Sequence, residues 1–164
     1  MVLKYFTFSL SIAFISWIIG IMANALLVST QFYKTRLTNL FLIRNEWLGR
    51  MIGLDAFRWI VQNSFFKYFN PKLSMKKRIR PSELDSLRQE MTVAEIGHLC
   101  GFLFVLPFVG AKLFKGDWLF ALIMMLVNIL MNLYPLLLQQ DNKRRIDRFR
   151  EKIRSKQPKQ QVRA

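Results

Sequence analysis

Three stretches of the chain stay apolar for long enough to cross a bilayer: Tyr5 to Ser29, Ile96 to Phe114 and Trp118 to Leu138. A helix spanning the roughly 30 Å hydrocarbon core needs about 20 such residues. Between the first and second runs the pattern changes to aromatic residues interleaved with cations, and after the third it becomes polar and basic. The predicted fold class is therefore an all-α membrane protein of one domain, with three transmembrane helices at 5–29, 92–114 and 118–138. An amphipathic, interfacial helical loop occupies 30–91 and a basic cytoplasmic C-terminal tail 139–164.

Composition sharpens this picture. A 52% hydrophobic content and a net charge of +15 coexist because the two kinds of residue are segregated along the chain. A bilayer imposes that segregation, whereas a soluble surface mixes the two. The charge therefore argues for topology and lipid headgroups as partners, and no nucleic-acid partner is expected. Twelve Lys and Arg lie between Thr30 and Glu95, ten between Gln139 and Ala164, and the other three are Lys4, Lys112 and Lys115. Both basic segments face the cytoplasm if basic loops stay inside. Three spans satisfy this with the N-terminus outside and a short Lys115-Gly116-Asp117 turn outside. Lys4, the apolar run and Ala23-Asn24-Ala25 have the outline of a signal peptide, but the run exceeds the about 7 to 15 residues of a signal core. Retention as a transmembrane anchor is expected.

The loop carries Trp47, Met51, Leu54, Phe57, Trp59, Ile60, Val61, Phe65, Phe66 and Phe69 among Arg44, Arg50, Arg58 and Lys67. Two readings stand side by side: a platform at headgroup depth, or a lid packed on the spans. Pro71 and Lys76-Lys77-Arg78-Ile79-Arg80-Pro81 interrupt it, and Ser82 is placed to cap a short helix from Glu83 to about Met91. The tail reads as a helix that frays near Gln157-Pro158.

The second run opens with Thr92-Val93-Ala94-Glu95-Ile96-Gly97-His98. Spacing of three puts Glu95 and His98 on one face, a turn apart, as in a carboxylate-held general base. Thr92-x-x-Glu95 is equally a capping box, in which Glu95 folds back to the Thr92 amide. An ionisable residue inside a span is costly unless it meets a polar cavity, so His98 is the sharper candidate. Gly97 and Gly101 allow close approach of a neighbouring helix, the helix–helix partner this pair implies. In the third run Asn128, Asn132, Pro135, Gln139 and Asn142 recur every three or four residues, forming one polar stripe that should meet the Glu95/His98 face. Assembly of the bundle and substrate binding are both open for it. Pro135 cannot donate to Met131, whose carbonyl must bond elsewhere in the bundle. With one histidine and one cysteine, Cys100, the chain offers no zinc quartet, and no cofactor or metal is expected. The Glu-x-x-His spacing of di-iron bundles also fails, because no second copy exists.

Taken together, Glu90-x-x-x-Ala94-Glu95-x-x-His98, Asn132-x-Tyr134-Pro135-x-x-x-Gln139-x-x-Asn142-x-x-Arg145 and Arg50-x-Ile52-Gly53 with Arg58-Trp59 resemble the elements of a known family. It is the glycosyl-4,4'-diaponeurosporenoate acyltransferases, small membrane proteins acting last in staphyloxanthin synthesis. The resemblance spans most of Trp47 to Arg145. Val93, Leu99 and Gln140-Asp141 depart from the family's Arg, Trp and Arg-Tyr. The resemblance implies transfer of a fatty acyl group from an activated donor to a sugar hydroxyl of a glycosylated carotenoid or other glycolipid. His98 and Glu95 would be catalytic, and Asn128, Asn132, Gln139, Asn142 and Arg145 substrate-binding. The alternative is a non-catalytic membrane subunit or assembly factor, in which the glycines and the asparagine stripe form helix contacts.

Overall fold

A computed structural model describes residues 1–43, 46–64 and 80–156. Among the described residues every regular element is helical. Three helical stretches are long and apolar enough to cross a membrane, as expected, and the protein is an integral membrane protein. The first is α1 (Val2–Leu27) and the second α5 (Leu84–Phe114). The third is a continuous rod made of α6 (Trp118–Asn128), a π-helical turn (Ile129–Leu133) and α7 (Tyr134–Lys156). Short helices α2 (Gln31–Thr35), α3 (Glu46–Met51) and α4 (Leu54–Asn63) lie in the loop, with 3₁₀ turns at Leu37–Asn39 and Pro81–Glu83.

Small residues decide how closely the spans pack. The buried face of α1 is Ser9, Ala13, Ser16, Gly20 and Asn24, while Ile18, Met22 and Leu26 are exposed. A Cβ on Gly20 would sit 2.2 Å from the Gly97 carbonyl oxygen, and one on Gly101 would sit 3.1 Å from that of Ser16. Gly97 and Gly101 thus pack against α1 of the same chain. At the end of the bundle carrying the N-terminus, Tyr5 stacks on Phe120 with centroids 4.3 Å apart. The α5–α6 turn closes there through Gly116, whose φ of +78° favours glycine.

The other end gathers the loop and the tail. Arg88 of α5 pairs with Asp147 of α7 at 2.7 Å, and Asp85 with Arg150 at 2.8 Å. Leu84, Leu87 and Met91 pack with Ile146 beneath these pairs. The helices that carry the second and third apolar stretches run on past residues 92 and 138 and pair with each other. No separate Glu83–Met91 helix exists. Arg80 and Glu83 form the capping turn, the Arg80 amide donating to the Glu83 carboxylate at 3.3 Å, and the helix then runs unbroken to Phe114.

The two readings of the loop divide one helix between them. Leu54 and Val61 of α4 are buried against Leu136, Leu137 and Leu138, and Phe57 packs on Tyr134. Trp59 of α4 is exposed, as are Trp47 and Met51 of α3. So α4 is a lid on one side and an apolar surface on the other. Arg44, Phe65, Phe66, Lys67, Phe69, Pro71, Lys76-Lys77-Arg78-Ile79 and the Gln157-Pro158 region lie outside the described residues.

Candidate functional site

Under the α4 lid lies a cavity of about 590 Å³ between α1, α5 and the third span. Most of its wall is apolar, including Ile21, Phe57, Ile60, Val61, Val93, Leu130 and Leu138. Its polar groups are few: Trp17 and Asn24 from α1, His98 from α5 and Gln139 from α7. The His98 Nδ1 and Asn24 Oδ1 atoms are buried and have no hydrogen-bond partner. An apolar chamber with a few inward polar groups is the usual form of a small-molecule site.

Pro135 shapes one wall. Its missing N–H releases the Met131 carbonyl, and its ring crowds the preceding turn, so the helix widens into the π turn at Ile129–Leu133. The Trp17 indole N–H donates to that carbonyl at 3.1 Å, the bundle contact that the sequence required. Trp17 in turn meets the edge of the His98 ring, with centroids 6.2 Å apart. The proline thus sets the tryptophan that flanks the histidine.

The capping-box reading of Glu95 is overturned. Thr92 is well inside α5, where its hydroxyl donates to the Arg88 carbonyl at 3.0 Å, so no helix start exists for Glu95 to cap. The carboxylate–imidazole pair does not form either. Glu95 is turned toward α7, where it accepts from Lys143 Nζ and, at 2.8 Å, from Gln140 Nε2. Both ends of the Glu95–Lys143 ion pair are 0% exposed. Lys143 also donates to the Thr38 carbonyl at 3.0 Å, and the Leu42 amide donates to Gln140 Oε1 at 2.9 Å, so the pair ties the loop to the bundle. Beside it Arg58 of α4 pairs with Asp141, and Arg144 bonds both Asp141 and the Ile43 carbonyl. Gln140 and Asp141, where the chain departs from the family pattern, thus serve as fastenings for the loop.

The polar stripe is divided likewise. Asn132 donates to Ser16 Oγ and to Asn128 Oδ1, each at 2.9 Å, and Asn128 donates to the Phe102 carbonyl at 3.2 Å. Asn132 and Ser16 fill the space that Gly101 leaves, since a Cβ there would lie 2.8 Å from Asn132 Oδ1 and 3.2 Å from Ser16 Oγ. Asn142 is buried with its amide 4.0 Å from Met91 Sδ. Arg145 is exposed and away from the cavity wall. Of the predicted site residues, His98 and Gln139 meet at the cavity, whereas Glu95, Asn128, Asn132, Asn142 and Arg145 do not line it. Sequence reasoning passes over Asn24, Trp17, Lys143 and Gln140. For α1 a signal exists: small and polar residues at 9, 13, 16, 20 and 24 trace one helical face.

These features define a class: a small polytopic membrane protein with an apolar chamber between its spans and a histidine in the chamber wall. The family's sequence model, described as glycosyl-4,4'-diaponeurosporenoate acyltransferase, matches residues 29–152, and the chain belongs to that family. The match covers the lid, α5 and the third span, and begins after α1. No curated protein and no solved structure matches the chain.

Proposed function

We propose that this protein is an acyltransferase of the bacterial inner membrane, moving a fatty acyl group from an activated donor to a sugar hydroxyl of a glycosylated carotenoid or another glycolipid. One observation carries the reading. The chamber that would hold an apolar chain also holds an unpaired imidazole nitrogen, His98 Nδ1, and an unpaired amide oxygen, Asn24 Oδ1. Unsatisfied polar atoms in an apolar interior are costly, and a hydroxyl-bearing substrate satisfies both.

In this reading His98 takes the proton of the attacking hydroxyl as its oxygen bonds to the acyl carbonyl carbon. The same proton then passes to the donor's leaving group as the bond to that group breaks. Asn24 and Gln139 orient the sugar. Glu95 acts at a distance by holding Lys143, α7 and the loop in place, and belongs to the positioning structure. The basic loop and tail stand on the cytoplasmic side, where activated acyl donors are made.

The test is transfer of a labelled acyl group by the purified protein to a candidate glycolipid. His98→Ala should lower turnover by about 10²- to 10⁴-fold, the usual range for a general base, with helix content and membrane insertion unchanged. Turnover that survives His98→Ala removes the mechanism. The second reading, a non-catalytic subunit, draws on the asparagine stripe, whose Asn128 and Asn132 amides donate within the bundle. It expects no transfer under any condition, a fixed protein partner, and an unchanged phenotype in His98→Ala.

A further inference from the structure

A second cleft, of about 270 Å³, opens at the loop end of the bundle between α2, the start of α5 and the tail half of α7. Its character is the reverse of the chamber's. Lys34, Arg88 and Arg150 stand in its wall against a single carboxylate, Asp85, which is already engaged by Arg150 at 2.8 Å. Arg88 commits Nε to Asp147 and one Nη2 bond to Asn39, at 2.7 and 3.1 Å. Other N–H groups of its five remain to donate. Tyr33, also in the wall, is 4% exposed, and its buried hydroxyl has no hydrogen-bond partner. Burial first and then the Glu95 carboxylate push that hydroxyl above its ordinary range, so it stays protonated and able to donate.

We propose that this cleft binds a phosphate group, carried either on a membrane lipid headgroup or on a soluble phosphate-bearing molecule. Donors converge from three elements, cations outnumber carboxylates, and a buried donor lacks an acceptor. A phosphate oxyanion, with several acceptor oxygens, fits that set. Val28, the residue closing the end of α1, borders the cleft and places it where a span meets the headgroups. The cleft is separate from the chamber, so its occupancy is measured by binding, without turnover and independently of acyl transfer.

The full chain in dodecyl maltoside micelles, which contain no phosphate, is titrated with dihexanoyl phosphatidylglycerol, with coenzyme A and with phosphate-free dihexanoylglycerol. Binding of a phosphate-bearing probe and not of dihexanoylglycerol is expected. Binding of the lipid alone assigns the headgroup as the source, and binding of coenzyme A alone the soluble molecule. Lys34→Gln, at an exposed position, should weaken that binding about fivefold, the effect of one cation at such a surface. Tyr33→Phe should weaken it too, and Lys115→Gln at the opposite end of the bundle should not. Failure of both phosphate probes to bind, dihexanoylglycerol binding as well as they do, or wild-type affinity in Lys34→Gln and Tyr33→Phe overturns the proposal.

Discussion

Two charges buried against each other leave Glu95 and Lys143 highly sensitive to substitution. Removing one partner strands the other in the interior, at a cost of about 3 to 5 kcal/mol. Glu95→Gln or Lys143→Met should each lower thermal stability in micelles by that order, followed by circular dichroism. The double variant should regain most of the loss, because no lone charge remains. Equal stability in all three would mean the pair is hydrated. Tyr33 adds a pH term. Its hydroxyl is raised by burial and by Glu95, so the folded chain holds the proton more tightly than the unfolded chain. That contribution is complete below about pH 10, the ordinary tyrosine value, and is lost as pH rises through the folded value. Tyr33→Phe should flatten the alkaline decline in Tm relative to wild type. In the sequence His98 stands out, because an ionisable residue in an apolar run is conspicuous. Lys143 does not: it is one of ten basic residues from Gln139 to Ala164, and its partner Glu95 lies 48 residues away. Charge in a polar tail reads as solvated, and only the fold turns this one inward.

At the scale of elements, packing depends on glycines that face backbone. Gly20→Ala drives a Cβ to 2.2 Å from the Gly97 carbonyl oxygen, and neither backbone can yield without the helices separating. A loss of about 1 to 3 kcal/mol is expected from such overpacking. Gly110→Ala meets nothing within 4 Å and should cost nothing in packing, which makes it the control for helix propensity. Equal Tm values for the two variants would show that α1 and α5 are not held as closely as this. Much of this scale is legible in the sequence. Gly97-x-x-x-Gly101 announces a close helix, Pro135 announces a free Met131 carbonyl, and the Lys115-Gly116-Asp117 turn falls where expected. The identity of the partner helix is not legible, because a glycine pair says that something approaches and not what. The ends of α5 and α7 escape for a related reason: hydropathy marks where lipid stops, whereas each helix continues as long as Arg88–Asp147 and the Leu84–Ile146 contacts support it.

For the whole molecule, three spans place the N-terminus and the α5–α6 turn at one end, and the loop and tail at the other. Among the described residues most of the cations lie at the second end, and basic segments are retained in the cytoplasm. The orientation can be read with single cysteines introduced into a Cys100→Ala chain, Cys100 being the native thiol. Cysteines at Lys34 and Ser155, both exposed, should be shielded from a membrane-impermeant maleimide in intact cells and labelled after permeabilisation. A cysteine at Lys115 should be labelled in intact cells. Labelling of Lys34 and Ser155 from opposite sides would contradict the fold itself, since the Asp85–Arg150 and Arg88–Asp147 pairs hold the loop end of α5 against the tail. Labelling of both from outside would leave the fold intact and reverse its orientation. In that case the chamber, whose His98 lies about three turns from Arg88 toward the membrane interior, would face activated donors on the wrong side, and acyl transfer from a cytoplasmic donor would lose its structural basis.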